Sequence, residues 1–208
     1  MEAFKISLDN IGRRFNREWI FKSVNYTFEQ NQSYAILGAN GSGKSTLLQV
    51  LSGSLIPSEG DLAYTFNGSS VLVEEVYKHL VIAAPYLELI EEFTLQEIID
   101  FHFKFKGYRD GLNSKSVIDL LALNASNKPL KYFSSGMKQR VKLALAFCSD
   151  TPVLLLDEPT ANLDQQGVNW YLSLIEHFSQ NRLVIICSNQ YHEYQFCKHQ
   201  LTVSDYKL

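Results

Sequence analysis

The chain has 208 residues, which at about 150 residues per domain points to one compact unit with room for a subdomain. Its 46% hydrophobic and 20% charged residues exclude disorder, collagen-like repeats and coiled coil. Nineteen basic residues against twenty-two acidic ones leave a net charge of −3, so no global positive field draws in nucleic acid, and none is expected as a partner.

No stretch reaches the roughly 18 to 20 apolar residues needed to cross a bilayer. The longest candidate, His79 to Ile90, is interrupted by Pro85 and Glu88. The opening MEAFKISLDN carries acidic and polar residues where a secretory leader needs a basic start and an apolar run, so a cytosolic chain is expected. The cysteines Cys148, Cys187 and Cys197 are odd in number and lack CxxC spacing. They read as free thiols, with neither a disulfide framework nor a zinc site.

In chain order, Phe4, Ile6 and Leu8 alternate with polar residues, as do Val24, Tyr26 and Phe28. That is the period of half-buried strands, expected as an antiparallel edge. From Ser33 a short apolar run, Tyr34 to Leu37, leads into a glycine-rich loop ending at Lys44, and then into a helical pattern from Ser45. The middle, residues 87–147, is helical in pattern. Thr94 with Glu97 forms a capping box, placing Ile98, Phe101 and Phe105 on one face. The stripe Phe101, Phe103, Phe105 reads as subdomain packing rather than a binding face. Further helices are predicted over about 115–123, 136–148 and 165–178. Val153 to Leu156 and Leu183 to Cys187 are continuous apolar runs suited to central parallel strands. The prediction is an α/β fold with a mixed, mainly parallel sheet, an antiparallel β edge and an inserted helical subdomain. Residues 1–86 and 148–208 would form the core and 87–147 the subdomain.

Gly38-Ala39-Asn40-Gly41-Ser42-Gly43-Lys44-Ser45 matches G-x-x-x-x-G-K-[ST], the Walker A or P-loop pattern, between a predicted strand and a predicted helix. Its glycines let successive backbone N–H groups face one point, where the helix adds its positive end, so phosphates fit the nest. Lys44 would neutralise the β- and γ-phosphates, and the Ser45 hydroxyl would ligate Mg²⁺, with Thr46 completing the loop. Val153 to Glu158 reads as Walker B: a buried strand delivers Asp157 to the metal, and Glu158 polarises the attacking water as general base.

With these motifs in this order, the sequence resembles the ATP-binding subunits of ABC transporters over nearly its whole length. Phe133-Ser134-Ser135-Gly136-Met137-Lys138-Gln139-Arg140 is similar to the family signature, LSGGQ followed by basic residues. Ser134, Ser135 and Gly136 would open a helix whose N–H groups face the γ-phosphate held by another protomer. Ala161-Asn162-Leu163-Asp164 is similar to the D-loop. Ser58 to Leu62 resembles the turn and strand that follow the phosphate-loop helix. Phe15 stands where the family stacks an aromatic on adenine, with Trp19 as competitor and core packing as the alternative.

Two positions depart from the family. Ala84-Pro85-Tyr86 has a phenol where a glutamine normally touches the metal and water. Cys187-Ser188-Asn189 has an amide where a switch histidine normally stands. Asn189 can bond to the γ-phosphate but cannot carry a proton's charge. His192 is the nearby substitute, expected instead as a surface residue.

The resemblance implies a Mg-dependent ATPase that dimerises, with itself or with a relative, and drives a transmembrane permease, with export the expected direction. It would sit on the inner face of the cell membrane through that partner. The alternative is a slow or non-hydrolysing ATP-gated module. A soluble role in translation or DNA maintenance is disfavoured, because those relatives usually carry two ATPase units or a long coiled coil. The groove beside Tyr86 and the segment from Leu87 to Gly107, with aromatics such as Phe93, is the expected docking surface.

Overall fold

The computed structural model describes residues 3–123 and 128–207. Strands β1 (Phe4–Phe15) and β2 (Glu18–Glu29) form a long hairpin. It is followed by β3 (Ser33–Leu37), α1 (Lys44–Leu51), β4 (Glu59–Phe66), β5 (Ser69–Val71) and β6 (Leu80–Ala83). Helices α2 (Leu95–His102), α3 (Ser114–Leu121) and α4 (Ser135–Cys148) make up the middle. The chain then runs through β7 (Val153–Asp157), α5 (Gln165–Phe178), β8 (Leu183–Cys187), α6 (Tyr191–Tyr194) and β9 (His199–Thr202).

Among the described residues the strands form two sheets. One is antiparallel, ordered β2-β1-β4-β5, and the other is parallel throughout, ordered β6-β7-β8-β3-β9. The α/β class therefore holds, while the antiparallel strands stand as a separate sheet rather than as an edge of the parallel one. The reason is that α1 lies between them. Leu47, Leu48, Val50 and Leu51 pack against Phe4, Ile6 and Phe28 of one sheet and Ile36, Leu155 and Ile185 of the other in a single core cluster.

Period-2 alternation along β7 assigns its two faces. Val153 and Leu155 point to that cluster. Leu154 and Leu156 point to a second one, with Phe147 of α4 and Tyr171 and Leu174 of α5. Burial on both faces explains why β7 and β8 read as unbroken apolar runs. A third cluster joins Leu95, Ile98 and Ile99 of α2 and Val117 and Leu121 of α3 to Val141, Ala144 and Leu145 of α4. Helix α4 thus serves both the sheet and the helical layer.

The capping box is present: Thr94 Oγ1 accepts from Glu97 N, and Glu97 Oε2 accepts from Thr94 N at 2.8 Å. The aromatic stripe is corrected in part: Phe103 packs against the third cluster, while Phe101 and Phe105 are 40% and 64% exposed. Helix α2 stops at His102, because the chain turns there to stack Phe103 on Tyr108 at 3.8 Å and to bring Lys106 Nζ to the Leu80 carbonyl at 3.0 Å. Phe105 therefore lies beyond the helix and off the packed face. Cys148 and Cys187 are buried, Cys197 is half-buried, and all three are free thiols. Among the described residues no helix is long and apolar enough to cross a membrane.

Candidate functional site

The C-terminal ends of β3, β7 and β8 lie side by side, with Ile36 paired to Cys187 and Cys187 to Asp157. The phosphate-loop pattern leaves β3 there and enters α1. Gly43 caps this helix with φ +108°, and a Cβ at that position would sit 2.4 Å from Ile20 Cγ2, so only glycine fits. Asn40, Gly41, Gly43, Lys44, Ser45 and Thr46 line a cavity of about 200 Å³ with Ile20 and Glu158. Ser42 is buried against Gly38. Lys44 is 5% exposed, and its ammonium donates to the carbonyls of Gly38 at 2.7 Å and Ala39 at 3.3 Å. An anion in the loop would compete with those carbonyls for the charge.

Asp157 ends β7 at 2% exposure, and both carboxylate oxygens lack a hydrogen-bond partner in the protein. Burial raises its pKa above the ordinary carboxylate value; the adjacent Ser45 hydroxyl and the Lys44 charge pull it back, and the charges of Glu158 and Glu193 raise it further. A buried carboxylate with no hydrogen bond in the protein, beside a serine hydroxyl, is a donor set that suits a hard divalent cation. Among the described residues no group of three or more His, Cys, Asp or Glu side chains could hold a metal. A cation at Asp157 and Ser45 would therefore draw its remaining ligands from phosphate and water, as Mg²⁺ does. Glu158 is exposed at the cavity, with φ +40°, a costly conformation for a residue bearing a Cβ. Its N–H donates to the Cys187 carbonyl at 2.9 Å.

Asn189, next after Ser188 beyond β8, donates from Nδ2 to Asn40 Oδ1 at 2.9 Å. The position that departs from the family thus bonds to the phosphate loop itself. Tyr86 leaves 43% of its surface exposed. Its phenol is pushed up to about 12 by burial and by the charge of Asp157, with Gln49 as hydrogen-bonding neighbour, so it is a neutral donor at working pH. His192 is corrected from a surface residue: it is half-buried on α6, with Nε2 3.1 Å from Thr160 Oγ1.

The signature segment opens α4. Ser134 caps it, accepting from Met137 N at 3.2 Å, and Ser135 is exposed beside it. A Cβ on Gly136 would sit 2.7 Å from the Asn162 carbonyl oxygen, so glycine lets this helix end rest on the loop after Glu158. Asp164 caps α5, accepting from Gly167 N at 2.8 Å. Phe15 stands at the hairpin end of β1, on the hairpin that sends Ile20 into the phosphate cavity, and is 46% exposed with the Arg13 guanidinium 4.5 Å from its ring centre. Trp19 is half-buried between Arg14 and Lys22. Phe93 is also half-buried, in an edge-on pair with Phe101, so the exposed groups beside Tyr86 are Leu87 and Ile90.

Sequence reasoning missed the ties between α4 and the site. Buried Gln139 donates to the Pro159 carbonyl at 2.9 Å, and Lys142 donates to the carbonyls of Pro85 at 2.9 Å and Ala84 at 3.3 Å. The basic residues after the signature were the available signal, yet their targets are main-chain atoms with no sequence pattern.

The ABC transporter family profile matches residues 21–161. The chain is 30% identical over 192 residues to the ABC transporter ATP-binding protein YybJ of Bacillus subtilis, covering 90% of this chain and 86% of YybJ. It is 28% identical over 187 residues to the cytochrome c biogenesis ATP-binding export protein CcmA of Brucella abortus, covering 89% and 85%. The chain spans 86% of the length of one relative and 58% of another. The dimeric post-hydrolysis structure of the cassette MJ0796, bound to ADP and Pi, superposes with a TM-score of 0.82 at 21% identity over 98% of this chain and 96% of that one. The family profile therefore places the chain in the ABC transporter family.

Asp157→Asn removes an unpartnered buried charge, so the nucleotide-free protein should gain about 1 to 3 kcal/mol of stability. Urea unfolding of the variant beside the native chain measures this; a loss of stability would mean that Asp157 is paired within the protein.

Proposed function

We propose that this chain binds Mg-ATP and hydrolyses it to drive a separate transmembrane permease. The observation that carries the reading is the convergence of the phosphate loop, Asp157, Glu158 and Asn189 at the ends of three adjacent parallel strands. Gly38 to Thr46 cradles the phosphates, with Lys44 turning from its loop carbonyls to the β- and γ-oxygens. Ser45 and Asp157 hold Mg²⁺, which when bound neutralises phosphate charge. Glu158, exposed at the cavity, orients and deprotonates the attacking water, and Asn189 donates to the γ-phosphate. Phe15 offers its open face to adenine.

Ser134, Ser135 and Gly136 lie at a helix N-terminus that keeps Ser134 and Ser135 exposed, suited to the phosphate of a second ATPase subunit, so the working unit is a head-to-tail dimer, with a second copy or with a relative. The helical segment 87–147 acts as a subdomain, and the groove beside Tyr86, Leu87 and Ile90 receives the permease on the inner face of the membrane. Export is the favoured direction, supported by the similarity to CcmA.

A second reading, a slow ATP-gated module, is favoured by one observation: the Asn189 amide is engaged with Asn40 and cannot carry a proton's charge.

In the Glu158→Gln chain, ATP binding should be retained while phosphate release falls ~100-fold or more, the scale of a lost general base; unchanged release would sink that role. Asn189→His separates the two readings. A turnover within a few-fold of native supports the transport engine, and a large gain marks the native site as built to be slow. Gentle solubilisation of native membranes and mass spectrometry of tagged chain should recover an integral membrane protein with several spans. Recovery of soluble partners alone would favour the gated module.

A further inference from the structure

Helix α6 carries a glutamate that the reading above does not use. Glu193 is completely buried. One carboxylate oxygen, Oε1, accepts from Thr160 N at 2.7 Å and from Thr160 Oγ1, and the other, Oε2, accepts from Ser188 Oγ. From below, Tyr171 of α5 donates its hydroxyl to the Glu193 carbonyl at 2.8 Å, fixing the main chain of α6 to the core. A buried carboxylate held by three donors is a high-cost arrangement that persists only where its partners are well set, and losing them strands a charge.

The partners define what it does. Thr160 lies two residues after Glu158 and Ser188 one residue before Asn189. These two segments leave neighbouring strands, and Glu193 is bonded to both. Glu158 sits at φ +40° in a turn closed by its own N–H to the Cys187 carbonyl and by Ala161 N to the Glu158 carbonyl, each at 2.9 Å. Such a backbone holds only when its surroundings over-determine it, and the bonds from Thr160 to Glu193 supply the far end of that turn.

We propose that Glu193 is a positioning residue for hydrolysis, clamping the turn that carries Glu158 to the segment that carries Asn189. Glutamine is nearly isosteric but loses the charge and presents an amide nitrogen to donors at one of the two oxygen positions. The proposal rests on Glu158 acting as general base.

The test compares native chain with Glu193→Gln, and with Ser188→Ala as a milder second variant that removes a single donor. Steady-state ATP hydrolysis should fall at least tenfold in kcat for Glu193→Gln and several-fold for Ser188→Ala, with KM and ATP affinity within twofold of native. Combining Glu193→Gln with Thr160→Val should cost no more than the larger single effect, since both break the same clamp. Amide hydrogen exchange at Thr160 should quicken in Glu193→Gln while α5 stays protected. A kcat within twofold of native, a parallel loss of ATP affinity, or unchanged exchange at Thr160 would overturn the clamp. Unchanged turnover in Glu158→Gln would overturn the base assignment instead, and the exchange result would then still decide whether Glu193 holds the turn.

Discussion

The parallel register of β7, β8 and β3 is the constraint on which the site depends. Asp157 pairs with Cys187, and Cys187 with Ile36, so the residues that follow each strand emerge in a row. Neighbouring strands lie about 4.8 Å apart, so groups at three adjacent ends fall within roughly 10 Å of one another. No side-chain contact has to bring the phosphate loop, the carboxylates and Asn189 together, because the ladder of main-chain bonds does so. A slip of one residue would turn Asp157 to the other face and exchange the two apolar clusters, and full burial of both faces forbids it.

The two buried charges of the site are held by few protein groups. Lys44 rests on carbonyls of its own loop, and Asp157 has no partner at either oxygen. An anion would draw the ammonium from those carbonyls, and a cation would find both carboxylate oxygens open. Burying a carboxylate without a hydrogen-bond partner costs some folding stability.

Helix α4 links that site to the helical layer. Its first turn rests on the Asn162 carbonyl through Gly136, its middle reaches Pro159 through Gln139, and Lys142 holds the carbonyls before Tyr86. One rigid element therefore touches the loops after both β7 and β6. The helical layer and the neighbourhood of Glu158 and Tyr86 are thus joined through a single helix. The substitutions at Tyr86 and Asn189 lie on the loops that this network adjoins.

The local devices were legible in the sequence, because short-range stereochemistry controls them. The glycine pattern of the phosphate loop, the capping box at Thr94 and Glu97, the helix over 165–178 and the apolar runs of β7 and β8 each follow from a few adjacent residues. The family resemblance added the order of the motifs. Tertiary structure alone decided that the antiparallel strands form their own sheet with α1 between, that Phe101 and Phe105 stay exposed, and that His192 packs on Thr160. The same holds for Asn189 reaching Asn40 across 149 positions and for Glu193 joining Thr160 to Ser188. Most of those contacts join residues remote in the chain, so no composition or spacing encodes them. They exist only once the hydrophobic clusters have set the strands in register.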